Sequence, residues 1–422
     1  MSQTERDAMD STGRVGPTDS TDSTDSTART DSTARTDSTD RTGGVDGRGG
    51  RVTGTSDEDR RARAAWSRLA EPGDERAVEL IACHGAAGAL ALVLDGSPEA
   101  HETFVRRAER LDVDRDLEIA DRVGARLVCP EDEDWPSGVD DLDTSPICLW
   151  VRGPADLSVL ARRSVAVVGA RSCTSYGDLV AADFGAGLAD RGFAVVSGAA
   201  FGIDAAAHRG ALAVDGVTLA VLAGGVDRAY PVAHETLIHR IADTGAVISE
   251  VAPGAAPTRP RFLMRNRLIA TMTTGTVVVE AGLRSGSLNT ARTAAGHYRP
   301  VGVVPGPITS MVSAGCHQAR RDGFAEIVTD VAEVIDLVGA IGLDAAPRPS
   351  APVRADDGLD PADAVALASV PVRKAASVLS IAVAAGLVPS SVLASMGRLE
   401  LLQLVVREGE GWRKKPPERV RT

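Results

Sequence analysis

Lysine is nearly absent: Lys374, Lys414 and Lys415 are the only ones in 422 residues, so no Walker A phosphate loop can lie in residues 1–373. That excludes an ordinary P-loop ATPase. Aromatic residues make up only 3% of the chain, too few for surfaces built broadly on stacked rings. The cysteines, Cys83, Cys129, Cys148, Cys173 and Cys316, stand singly, without the close pairs that zinc ribbons and redox dithiols need. A reduced, cytoplasmic protein without a metal site is expected. No run of about eighteen residues is free of charged and polar side chains, and no basic-then-apolar leader opens the chain, so neither membrane insertion nor secretion is expected. Positive charge is also in deficit, with 46 Lys+Arg against 58 Asp+Glu and a net charge of −12. Any nucleic-acid site must therefore be a local basic patch.

What is present divides the chain into five parts. Residues 1–58 carry a degenerate Ser/Thr/Asp repeat with nothing apolar to bury and read as a disordered tail. Residues 59–125 show apolar residues at mixed three and four spacing and read as a small helical domain. Its LIACHGAAGALALVL stretch suits either a helix-hairpin-helix or a plain helical hairpin. Residues 126–340 form the main domain, entered through an extended connection with apolar runs at 126–128 and 147–151. Residues 341–361 are a Pro- and Asp-rich linker. Residues 362–416 fit helices near 362–368, 371–384 and 389–405, then a strand and turn, which is either a winged-helix-like module or a three-helix bundle.

The main domain has an alternating pattern. Short β-branched runs at 164–170, 193–199, 217–225, 245–250, 275–281 and 300–306 end in glycine or a small residue, with helical segments between them. That order predicts an α/β fold, an extended Rossmann-like, doubly wound parallel sheet with functional loops at the strand C-termini. The dinucleotide fingerprint GxGxxG is missing, which discounts an NAD-dependent oxidoreductase, and no cofactor is expected.

Four loops or helix starts carry the candidate chemistry. Arg171 follows Gly169 at a helix N-terminus, where anions are favoured. In SGAAFGID, Ser197, Gly198 and Gly202 shape a backbone nest suited to a phosphate, with Asp204 capping the helix. In RFLMRNRLIA, Arg261, Arg265, Asn266 and Arg267 form a basic cluster without acidic neighbours, while Phe262, Leu263 and Leu268 are expected to pack inward and Phe262 or Tyr230 to offer a stacking ring. In EAGLRSGSLNTA, Arg284, Ser285 and Gly286 converge on the next helix. Glu250 and Glu280 are either a catalytic pair or structural ion-pair partners, and the histidines are packing or surface groups.

The series GARS, SGAAFGID, AGGVDRAYP, PRFLMRNRLIA, EAGLRSGSLNTA and VVPGP, in this order, resembles the bacterial DNA-processing protein A (DprA, or Smf) family over roughly residues 126 to 335. The resemblance implies sequence-independent, cooperative binding of single-stranded DNA. It also implies protection of incoming DNA and RecA loading past single-strand-binding protein in natural transformation or recombination, by a homodimer without catalysis. It places Arg171, Arg265 and Arg267 on DNA phosphates. The alternative is an enzyme like the nucleotide phosphoribohydrolases, but of their PGGxGTxxE signature only GTVVVE at 275–280 survives. On the binding reading, Arg171→Ala or Arg265→Ala is expected to weaken single-stranded DNA binding by ~1–3 kcal/mol with little loss of stability.

Overall fold

The computed structural model describes residues 55–339, 344 and 357–415. The repeat at 1–54, most of the 341–361 linker and the basic end from 416 lie outside the described residues.

Four capped helices come first: α1 (Asp57–Leu69), α2 (Glu75–Leu94), α3 (Glu102–Ala108) and α4 (Val113–Arg122). The side chains of Ser56, Asp74, His101 and Asp112 each accept a first-turn N–H, satisfying donors that the helix itself cannot. Trp66 and Phe104 meet edge to face at 5.3 Å in the small core of these helices. Helix α2 is long and apolar enough to cross a bilayer, which runs against the absence of such a run expected from sequence. Gly85, at φ 71°, ψ 164°, breaks it into two short arms, and Ala77, Ala86, Ala89 and Val93 are buried in that same core.

The apolar runs read as an extended connection are strands, β1 (Ala125–Val128) and β2 (Leu149–Arg152), paired antiparallel. After α5 (Leu157–Ala161), strands and helices alternate: β3 (Ser164–Val168), α6 (Ser175–Asp190), β4 (Ala194–Ser197), α7 (Ile203–Ala213), β5 (Thr218–Val221) and α8 (Glu235–Thr244). The series continues through β6 (Ala246–Ser249), α9 (Arg259–Thr271), β7 (Gly275–Val278), α10 (Gly286–Gly296), β8 (Val301–Val303), α11 (Ala314–Arg321), β9 (Glu326–Ile327) and α12 (Val331–Val338).

Strands β1 to β9 form one sheet in the order β1-β2-β6-β5-β4-β3-β7-β8-β9. From β6 to β9 every pairing is parallel, whereas β2 joins β6 antiparallel, so the sheet is mostly rather than wholly parallel. Strands β3 to β6 step outward one way, and β7 returns to the other flank of β3. The connections therefore diverge above the β3/β7 pair, where open α/β sheets hold ligands. Side chains alternate across the pleat: Val165 and Val167 pack with Phe184, Leu188 and Val334 on one face, Ala166 and Val168 with Leu268, Ile269 and Leu288 on the other. Helices α1 and α4 close the β1–β2 end through Ala64 and Ala120, which share a core with Trp150 and Val247.

At the C-terminus lie α13 (Pro361–Ser369), α14 (Val378–Ala385), α15 (Pro389–Leu401) and the antiparallel hairpin β10 (Val405–Glu408) and β11 (Gly411–Lys414). The middle helix is shorter than the expected 371–384, because Ala376 is extended and bridges Trp412 of the hairpin.

Candidate nucleic-acid interface

Above the β3/β7 switch point lies a cleft of about 440 Å³, lined by the loops after β3, β4 and β7 and one side of α9. Arg171, Arg265, Asn266, Ser285 and Gly286 line it, together with Asp204 and Phe262. Arg171 is exposed, has no carboxylate partner among the described residues, and lies with its guanidinium 5.0 Å from the Phe262 ring centroid. A cation over a ring, both open to a groove, can hold a phosphate beside a stacked base. Across the groove, the N-terminus of α10 is capped by the Ser285 hydroxyl, which accepts from the Ser287 N–H and lies 2.7 Å from the Ser287 hydroxyl. Asn266 donates to the Gly286 carbonyl at 3.3 Å and ties this turn to α9.

The loop after β4 approaches the loop after β3 so closely that a Cβ at Gly202 would overlap the Ala170 and Arg171 carbonyls, and Gly202 has φ 75°. Glycine alone meets both conditions cheaply. The expected phosphate nest is already filled, because the Asp204 carboxylate accepts the N–H groups of Gly198, at 3.1 Å, and Ala200, at 3.4 Å. Ser197 is wholly buried and donates to the Val167 carbonyl, so it supports the loop from below. Burial pushes the Asp204 carboxyl up, against the pull of Arg265.

Helix α9 turns Arg265 and Arg267 inward. Arg265 is 6% exposed and donates from Nη1 to the carbonyls of Gly198, at 2.9 Å, and Val221. Burial lowers its pKa to about 10, opposed by Asp204. Arg267 makes two bonds to Glu250, at 2.6 and 2.7 Å, and a third to the Thr144 carbonyl. Arg261 is paired with Glu71, 190 positions away in sequence. The basic cluster is thus compensated after all, by acids that local sequence does not show, and only one edge of it meets the cleft. Leu263, expected to pack inward, is 53% exposed. Arg284 is exposed in the same loop as Ser285 but does not line the cleft.

The two glutamates serve structure. Glu280 is 2% exposed and accepts from the Thr174 N–H, at 2.8 Å, and the Thr174 hydroxyl, at 2.6 Å, fixing the start of α6. Glu250 belongs to Arg267, and burial raises its carboxyl above the ordinary range. The strands they follow, β6 and β7, stand four positions apart in the sheet, roughly 19 Å at ~4.8 Å per strand. Paired carboxylate catalysis at one bond needs less than about 10 Å.

Of the rings beside the cleft, Tyr230 was expected to offer stacking, whereas Phe201 and His234 were not singled out for it. Tyr230 lies 5.5 Å from Phe262, and Phe201 packs edge-on against His234 at 4.7 Å, with His234 Nδ1 2.9 Å from the Ala199 carbonyl. Phe201 comes from the SGAAFGID loop, whose glycines pointed to a phosphate nest rather than to the ring between them. Behind the site, His208 is wholly buried, its Nδ1 2.6 Å from the Thr218 hydroxyl, and burial lowers its pKa to about 3. An unfolded histidine binds its proton near pH 6.5, so stability is full above that pH and falls as pH drops toward 3. The wild type is expected to lose up to ~1.4 kcal/mol per pH unit below about 6, and His208→Leu to lose the corresponding slope in urea titrations at a series of pH values; parallel slopes for the two proteins would refute this.

Comparison with known proteins places the chain in context. The family model of DNA recombination-mediator protein A matches residues 126–339. A Mycobacterium tuberculosis protein named for DNA processing protein DprA is 45% identical over 373 residues, covering 85% of this chain and 95% of the relative. DNA processing protein DprA of Streptococcus pneumoniae is 38% identical over 204 residues, 48% of this chain and 71% of the relative. The X-ray structure of that streptococcal protein superposes with a TM-score of 0.58 at 30% identity, over 67% of this chain and 98% of the other.

Proposed function

Because the chain belongs to the DNA recombination-mediator protein A family, we propose that it binds single-stranded DNA without regard to sequence, shields it, and helps load RecA recombinase onto it. The observation that carries this reading is Arg171, an exposed cation with no carboxylate partner among the described residues, lying over Phe262 in the switch-point cleft. Phosphate attraction with ring stacking is how sequence-tolerant single-strand binders work, since every base has a flat face. Duplex DNA hides its bases inside the stack and gains nothing from Phe262.

On this reading the protein is a cytoplasmic homodimer that works by binding rather than catalysis, with RecA and single-strand-binding protein as partners in recombination or natural transformation. The separation of Glu250 from Glu280 supports the absence of carboxylate-pair chemistry. The helices α1 to α4 serve as the helical domain of residues 59–125. The order α13, α14, α15 and hairpin supports a winged-helix-like module over 362–416, suited to duplex DNA or an acidic partner.

Fluorescence anisotropy of labelled oligo-dT and of a matching duplex, at two salt concentrations, tests the reading. Preference for the single strand with a steep loss of affinity at higher salt is expected. No binding at low salt, or equal affinity for the duplex, would sink it.

A further inference from the structure

A second cleft, of about 630 Å³, opens on the same carboxyl edge of the sheet, between α4 and the loops that follow β5 and β6. Five arginines line it, Arg68, Arg110, Arg115, Arg122 and Arg228, against three aspartates. The aspartates are engaged. Asp116, 3% exposed, is bound by Arg68, which also donates to the Pro253 carbonyl and so fastens α1 and α4 to the loop after β6. Asp112 caps α4 by accepting the Arg115 N–H, and Asp227 accepts the Gly254 N–H at 2.7 Å. Arg110, Arg115 and Arg122 are exposed and have no carboxylate partner among the described residues, while Arg228 meets only Asp227, loosely, at 3.5 Å. Arg115, Ile119 and Arg122 share one face of α4, so the two guanidinium groups project into the same space.

The two clefts are joined by one loop. Residues 222–231 leave β5, set Asp227 and Arg228 in the second cleft, and two positions later place Tyr230 against Phe262, which lines the first. Tyr230 on this stretch and Phe201 on the loop after β4 are each 48% exposed, although the whole chain has only 3 Tyr and 6 Phe. From β3 to the β5–β6 pair is two to three strand spacings, roughly 10–15 Å, the span of a few nucleotides.

We propose that a single DNA strand seated in the switch-point cleft continues over the Tyr230 and Phe201 rings into this second cleft, where Arg115, Arg122 and Arg228 take its phosphates. The ligand chemistry is a phosphate of a polynucleotide, and the inference rests on the single-strand binding proposed above. A strand so bound would run along the carboxyl edge of the sheet and touch the helical segment, making α4 part of the binding surface.

The test uses the full chain and its Arg115→Ala/Arg122→Ala variant, both sites being exposed, with oligo-dT of increasing length. The variant should match the wild type on the shortest oligomer that binds. On longer ones it should lose about tenfold or more in affinity, with a shallower salt dependence. Equal affinity of both proteins at every length overturns the second cleft, while binding of the short oligomer leaves the first reading standing. Failure of the wild type to bind any oligomer removes both. A thermal shift of the wild type by tripolyphosphate, lost in the variant while the length dependence stays unchanged, overturns the strand assignment in favour of a free polyphosphate.

Discussion

Arg265→Ala is expected to lose about 3–5 kcal/mol of stability, because removing one member of a buried ionic network leaves the rest uncompensated. The groups stranded are the carbonyls of Gly198 and Val221, which Arg265 serves, and the Asp204 charge beside it. Gly198 has no side chain because a Cβ there would overlap the Arg265 guanidinium, so the loop after β4 is built around this residue. Loss of DNA affinity would follow from loss of the loop. Urea denaturation measures the effect directly, and a midpoint matching that of the wild type would show that the network contributes nothing. This replaces the expectation from sequence that Arg265→Ala weakens binding while sparing the fold. That expectation placed these arginines on a face of α9 open to phosphates, whereas Arg265 and Arg267 are both buried.

Arg171→Ala should behave in the opposite way. The side chain is exposed and its contact is the Phe262 ring, so the melting temperature should stay near that of the wild type. Single-stranded DNA affinity should fall by ~1–3 kcal/mol, about fivefold to 150-fold, and the salt slope should shrink by the ~0.7 that one single-strand phosphate contributes. Titrations of oligo-dT at several salt concentrations read both quantities. An unchanged slope would mean that Arg171 meets no phosphate, whatever happens to the affinity. Together the two arginines separate building the cleft from using it.

Strands β3 to β8 were legible because each is a short apolar run buried on both faces, and such runs ending in glycine or a small residue have few other readings, whereas β9 is two exposed residues that carry no such pattern. β1 and β2 were missed because their runs are separated by an acidic Pro/Gly loop, and their pairing brings Val128 against Leu149 across that loop. Periodicity says nothing about contacts of that kind. The loops around Arg171, Asp204 and Ser285 were visible as glycine-bearing turns after strands. Which cations remain free was not visible, since Arg261 finds Glu71 and Arg267 finds Glu250 only once the sheet and the N-terminal helices are assembled. The basic cleft beside α4 has the same origin. Arg115 and Arg122 sit in a helix rich in acids, of which Asp116 is bound by Arg68 and Asp114 by Arg61 while Asp112 caps the helix, and neither arginine has a carboxylate partner among the described residues.

The carboxylate of Asp204, held against the Gly198 and Ala200 N–H groups, has a kinetic consequence. A loop kept in shape by the chain's own anion is ordered when the protein folds, so the entropy of fixing it is not charged to binding. On the single-strand binding proposed above, association has no closure of this loop to wait for, and electrostatic steering toward the exposed arginines sets the encounter rate. On the same reading, release calls for no rearrangement of a loop that its own carboxylate already holds. A surface of this kind suits a protein that must take up a strand quickly and give it up to another.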